Sequence, residues 1–183
     1  MSKLFEKINI GQMTLKNRII MSAMDLGFTS DGTINDRIIN FYIERAKGGV
    51  GLIVVGGCYP EMNGKVWKSI IGLDKDEFIP GLKRLTDAIH RYDVRVAAQL
   101  LHAGRSASSF FTKMQPVAPS AVTYRSIKQE PRALTIPEIK TVIDNYVSAA
   151  LRAKKAGFDA VELHGGMGYL INQFLSKATN KRN

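Results

Sequence analysis

TIPEIKTVIDNYVSAALRAKKAGFDAVELH, residues 135–164, carries one helix and one strand separated by a single break. Thr135-Ile136-Pro137-Glu138 has the form of a capping box, in which a hydroxyl and a carboxylate satisfy the exposed amides of a first helical turn. Ile139, Val142, Ile143, Tyr146, Val147 and Ala150 recur at helical spacing, which predicts a buried stripe, and Gly157 stops the helix. Phe158–His164 (FDAVELH) then reads as a buried strand. A helix that delivers the chain straight into a buried strand is the repeating unit of a parallel sheet.

The same alternation runs upstream. Ile8–Ile10 and Met13–Leu15 flank Gly11-Gln12 as a short hairpin. Arg18–Ser22 (RIIMS), Gly51–Gly56 (GLIVVG) and Arg95–Leu101 (RVAAQLL) read as three more buried strands. Helical spacing over Asn35–Lys47, ended by Gly48-Gly49, and over Pro80–His90 fills the gaps, and Tyr169–Leu175 adds a short final helix. Right-handed crossovers between parallel strands leave two α/β architectures, a doubly wound sheet or a (β/α) barrel. The first strand runs into Ala23-Met24-Asp25 instead of a GxGxxG turn, so the dinucleotide fingerprint is missing. Four units are half of an eight-stranded barrel.

The 183 residues are 45% hydrophobic and 23% charged, the composition of one globular domain with a core that needs no disulfide staples. No apolar run approaches the roughly 18 residues of a membrane span. MSKLFEKINIGQ lacks the apolar core of a secretion signal, and Cys58 stands alone, so a cytoplasmic location is the expectation. The net charge of +10 raises the question of a polyanionic partner. Its lysines and arginines are spread along the chain apart from Lys177, Lys181 and Arg182, and no helix-turn-helix or aromatic-basic strand pair accompanies them. The expectation is no nucleic acid, no membrane, and a small-molecule substrate.

Barrels gather their chemistry at strand carboxyl ends. Here those ends hold Ala23, Met24 and Asp25, then Gly56-Gly57-Cys58, then Gln99 and His102, then His164 followed by Gly165-Gly166-Met167-Gly168-Tyr169. His90 falls late in a helix, where a surface or helix-end role is expected. Three chemistries could use the set. A metal could draw on His102, His164, Glu162 and Asp25, although no HxH or HExxH spacing supports one. Cys58 could be a nucleophile or a buried, inert thiol. A flat cofactor could lie across the mouth, with the Gln99 amide reading its edge and Tyr169 donating a proton.

Several segments then bear on the choice: LFEKINIGQMTLKNRIIMSAM (4–24), QLLHAGR (99–105), APSAV (118–122), LTIPEI (134–139), AGFDAVELHGGMGYLINQFLS (156–176) and TNKR (179–182). In this order they resemble the N-terminal half of the Old Yellow Enzyme-like NADH:flavin oxidoreductases, in the branch that includes 2,4-dienoyl-CoA reductases. The resemblance implies the (β/α)8 TIM-barrel fold, present over residues 1–183 as its N-terminal (βα)4 half with an N-terminal hairpin. It implies FMN at the carboxyl face and NADH or NADPH as reductant. Gln99 would bond the flavin pyrimidine edge, while Ala23, Met24, Asp25 and Gly57 would line the ring system. Hydride would pass by way of FMN to an activated alkene, an enone or enoyl thioester. Tyr169 matches the family's proton donor, and His164 the first of two side chains that clasp the substrate oxygen.

Two positions depart from the pattern. Met167 stands where the second clasp residue is usually His or Asn, and a thioether donates nothing. Enone activation would lose about 3 kcal/mol, as for one missing oxyanion donor. Asp25 replaces the usual Thr or Cys near the flavin, where an ionised carboxylate would disfavour an anionic reduced ring unless it is turned away. An atypical substrate or an altered redox poise is the expectation.

A half barrel also leaves its first and fourth strands as open edges and one apolar face uncovered. Family members continue with four more strands, including an arginine near the flavin and the loops that hold its phosphate. The expectation is a fragment of a longer polypeptide, or a homo-oligomer that closes through the open sheet edges. The alternative is a catalytically silent (βα)4 remnant that self-associates.

Overall fold

The computed structural model describes residues 2–124, 126 and 128–182. A hairpin of β1 (Ile8–Ile10) and β2 (Met13–Leu15) opens the chain, turning at Gly11 with φ +58°. Then follow β3 (Ile20–Met21), α1 (Asp36–Lys47), β4 (Leu52–Tyr59), β5 (Ile71–Gly72), α2 (Ile79–His90), β6 (Arg95–Leu100), α3 (Ser109–Thr112), β7 (Val117–Ala118), β8 (Arg132–Ala133), α4 (Ile136–Lys155), β9 (Ala160–Leu163) and α5 (Leu170–Leu175). The central sheet has the order β3-β4-β6-β9, all parallel, with β5 pairing the far end of β4. The four strands follow one another across the sheet in chain order, as a singly wound barrel requires.

Strand alternation sorts the core into two layers. Ile53, Val55, Val96, Ala98 and Leu100 face the helices and pack with Ile38, Tyr42, Leu82, Leu85 and Ile89. Leu52, Val54 and Ala97 face the other way, where Leu15 of the hairpin covers them. The helix starts are chemically specified. Asn35 caps α1 by accepting the Ile38 N–H, and α4 has the capping box, with Glu138 accepting the Thr135 N–H at 2.7 Å.

Two expectations are corrected. The helix α4 does not bury the stripe Ile139, Val142, Ile143, Tyr146, Val147, Ala150. It turns a narrower row of small residues inward, Ala149 and Ala153, with Ala156 just beyond the helix, against the core. Thr86 of α2 donates its hydroxyl to the Ala156 carbonyl at 2.6 Å, fixing that contact. The long apolar side chains stay half-buried or exposed, Ile143 at 55% and Val147 at 54%. Likewise β9 is not a buried strand, because its outer side chains Val161 and Leu163 are exposed and nothing among the described residues pairs its far edge. Together with Leu170, Ile171 and Phe174 these residues line an apolar groove of about 490 Å³. That is the uncovered face expected of a half barrel.

The ends of the elements also shift. The first strand shortens to Ile20–Met21, while β4 runs on through Gly56 and Gly57 to Tyr59. Residues 101–134, which carry no periodic pattern, hold α3 and the parallel pair β7–β8, with Val117 opposite Arg132. At the amino end of β9, Asp159 accepts the Val96 N–H, the His90 ring N–H and an Arg95 N–H, all at 2.8–2.9 Å. His90 therefore has the helix-end role, clamping the last residue of α2 to the sheet.

Candidate functional site

The carboxyl ends of the four strands build one layer on the inner face of the sheet. Met24 forms an isolated bridge with Gly56, and the parallel register of β6 and β9 sets Gln99 opposite Glu162. Gly56 is required there: a Cβ would stand 2.7 Å from Gln99 Cβ and 3.3 Å from Ala23 Cβ. Ala23, Gly56, Gln99 and Glu162 thus run side by side across four strands. The Gln99 Nε2 donates to Glu162 Oε1 at 2.6 Å.

One inward step further along β9 lies His164, whose N–H bonds the Leu100 carbonyl and so continues the ladder. The turn from Gly165 to Gly168 then brings the Tyr169 ring against it, edge to face, with centroids 4.8 Å apart. His164 Nδ1 accepts the Gly166 N–H at 3.4 Å, which puts the ring proton on Nε2 and makes that nitrogen a donor. Burial raises the Tyr169 hydroxyl above the ordinary tyrosine range, with Tyr124 and Asp25 pushing the same way. It stays protonated. The backbone N–H of Leu170, which opens α5, bonds the His102 carbonyl at 3.0 Å and ties the turn to β6.

The other sequence candidates lie around this group. Asp25 is exposed, and its carboxylate accepts the Gly27 N–H at 3.1 Å and the Ser69 hydroxyl at 3.2 Å. Met24 is half-exposed beside Gly56. Gly57 is buried one residue further on, with the space at its α-carbon filled by Leu101 and Ile70. Met167 is 84% exposed at φ +53°, the most exposed large apolar side chain among the described residues. Cys58 is fully buried and burial pushes its thiol up to about 12, which leaves it inert at neutral pH.

His102 is a structural member of the site. Its ring is wholly buried, Nδ1 accepts the Gly104 N–H at 3.0 Å, and Nε2 donates to Glu61 at 2.8 Å. Asn145 of α4 donates to the second Glu61 oxygen at 2.8 Å. Burial works to raise the Glu61 carboxyl, but His102 and Asn145 outweigh it and hold the group below its usual value. Among the described residues no three of His, Cys, Asp and Glu are placed to hold a metal ion, so the metal alternative gains nothing.

Sequence reading passed over Glu61 and Asn145, placed Gly56 at a strand end without giving it a role, and weighed Glu162 only as a metal ligand. Strand parity was the usable signal for Glu162, since it shares the inner face with His164. Nothing in the spacing marks Glu61 or Asn145, which meet His102 only in three dimensions.

A singly wound parallel half barrel with polar groups converging at its strand carboxyl ends is the architecture on which barrel proteins of many functions build their sites. Residues 3–183 match the NADH:flavin oxidoreductase / NADH oxidase family, and the chain belongs to that family. It is 47% identical over 182 residues to a metal reductase of Desulforamulus reducens, covering 100% of this chain and 27% of that one. It is 41% identical over 184 residues to an NADPH dehydrogenase of Listeria welshimeri, covering 100% of this chain and 54% of that one. The solved old yellow enzyme homologue from Zymomonas mobilis superposes with a TM-score of 0.92 at 36% identity, over 100% of this chain and 54% of that one. The chain thus spans about half, or less, of the relatives it matches. The architecture is the N-terminal half of a (β/α)8 barrel, from a family of FMN-dependent NAD(P)H oxidoreductases.

Proposed function

We propose that this chain forms the flavin-facing and substrate-facing half of an FMN-dependent ene-reductase that takes its electrons from NADH or NADPH. One observation carries the proposal: the inner layer of Ala23, Gly56 and Gln99 adjoins the His164–Tyr169 pair at the same end of the sheet. The fit to FMN is chemical. A flavin's pyrimidine edge presents an N–H flanked by two carbonyls, and the Gln99 amide offers an oxygen and a second N–H. Gly56 keeps the neighbouring backbone bare of side chain, as a flat ring system needs. FMN, when bound, supplies the hydride-transfer chemistry.

The chain's own residues supply the rest. Ala23 and Met24, with Gly56 and the Asp25 and Gly57 backbone beside them, would wall the ring system. His164 Nε2–H is a donor for a substrate carbonyl oxygen, where negative charge develops. Tyr169 holds its proton at the hydroxyl and delivers it to the carbon that becomes basic. Met167 has no donor to add, which favours a substrate whose oxygen needs only one. With Asp25 engaged by Ser69 and Gly27, its carboxylate has partners other than the flavin.

Titrating the purified chain with FMN, and following the visible spectrum, tests the proposal. Saturable perturbation that is lost in Gln99→Leu, and bleaching of the bound flavin by NADH or NADPH that a small cyclic enone reverses, is the expected result. No saturable binding would refute it. A second reading rests on the apolar groove and the unpaired edge of β9, which support self-association of the chain in a homo-oligomer. The lone buried Cys58 supports a reducing, cytoplasmic location. Among the described residues no helix is long and apolar enough to cross a membrane.

A further inference from the structure

We propose that Glu162 is a positioning residue for the cofactor site. Its carboxylate fixes which way the Gln99 carboxamide faces, so that Gln99 offers its oxygen, and not a second donor, to the imide N–H of a flavin. The proposal rests on the reading that Gln99 meets the pyrimidine edge.

A terminal carboxamide can sit in two orientations that exchange its oxygen and its nitrogen and differ little in shape. Only its hydrogen-bond partners choose between them. On one side of Gln99 the strand register places Glu162, and Gln99 Nε2 donates to Glu162 Oε1 at 2.6 Å. An ionised carboxylate only accepts. The reversed amide would therefore set two acceptors against each other, while the observed one makes a charge-assisted bond, the stronger kind. On the other side lies Gly56, where a Cβ would fall 3.4 Å from Gln99 Oε1. The amide oxygen is thus directed toward β4 and the nitrogen toward β9. The donor–acceptor polarity of the site is set from one flank by charge and left room by glycine on the other.

Glu162 is exposed, so replacing it leaves the core intact. Among the described residues its side chain hydrogen-bonds Gln99 and no position assigned to substrate. Its effect should appear in which flavin the site accepts. N3-methyl-FMN has the same rings and phosphate as FMN but lacks the imide N–H that an oxygen acceptor would select.

Binding of FMN and of N3-methyl-FMN, each titrated by flavin fluorescence into the wild-type chain, Gln99→Leu and Glu162→Gln, tests this. Wild type should prefer FMN by about tenfold, the upper scale of one neutral hydrogen bond lost. In Glu162→Gln the preference should fall by about twofold, because a glutamine there both donates and accepts and leaves the Gln99 amide free to take either orientation. No FMN binding by wild type would overturn the proposal together with the function it rests on. Unchanged binding and preference in Gln99→Leu would overturn the Gln99 assignment, and the Glu162 role with it. If Gln99→Leu abolishes the preference while Glu162→Gln keeps it in full, the function stands and the role of Glu162 falls. Equal weakening of both flavins in Glu162→Gln, with the preference intact, would likewise reduce Glu162 to a structural part and overturn the proposal.

Discussion

Gln99 has room only because position 56 lacks a side chain. Gly56→Ala would drive a methyl group to within 2.7 Å of Gln99 Cβ, and both lie on central strands that cannot yield. The expected cost is about 1–3 kcal/mol, as for other overpacked cores, measured by urea unfolding. A second outcome belongs to Tyr169. Burial raises its hydroxyl, so the protonated form persists beyond the ordinary tyrosine value of about 10. In the proposed reaction the rate of alkene reduction should therefore show no loss of a proton donor across neutral pH, with any such limb displaced to the alkaline side. Tyr169→Phe should lower that rate by about 100-fold or more while leaving FMN affinity within about twofold, as read from turnover and flavin titration side by side. Equal losses in binding and rate would assign the ring a packing role alone.

The capped start of α4 is the element whose chemistry is easiest to probe. Thr135→Ala removes the N-cap oxygen and should cost about 1 kcal/mol in urea unfolding. Glu138 is held down at about 2, chiefly by its bond from Arg132 and then by the Thr135 N–H and hydroxyl. Since the folded-state value lies below the unfolded one, the stabilisation is complete above about 4.3, the unfolded value, and is lost as pH falls toward 2. Carboxyl titration by NMR, beside acid unfolding of Glu138→Gln, checks both position and sign. This cap was legible from four residues because a capping box is local chemistry. The inward face of α4 was not. Its helix carries two rows at helical spacing, one of long apolar residues and one of Ala149, Ala153 and neighbouring Ala156, and periodicity cannot say which meets the sheet. Gln99 stood out as a strand-end amide, but its contact with Glu162 depends on the register of β6 against β9, which no single strand encodes. Residues 101–134 were opaque for another reason. Their order comes from distant side chains, such as Gln129 donating to Ser109 and Gln173 accepting the Arg105 N–H.

Taken whole, the molecule is asymmetric: the hairpin covers part of the inner face of the sheet, while the flank along β9 is open. On the open side Leu163 is 59% exposed beside Ile143 and Val147. Contiguous apolar surface of this kind should bind a hydrophobic dye and promote association at micromolar concentration. Leu163→Lys should reduce both dye fluorescence and sedimentation-average mass while leaving the unfolding midpoint nearly unchanged, because the side chain it replaces is not in the core. A large fall in the midpoint instead would mean that Leu163 is buried in solution by something tightly held. The covered face has a different consequence. The β1–β2 hairpin closes the inner face through Leu15 against Leu52, Val54 and Ala97, with Lys16 donating to the Tyr92 carbonyl and Arg95 to that of Thr14. On a ribosome these first residues emerge long before their partners, and the loop that must close spans some eighty positions. Such distant pairings are slow to form. The beginning of the chain is therefore set to be among the last parts to lock, a cork that seats only once the vessel has been shaped.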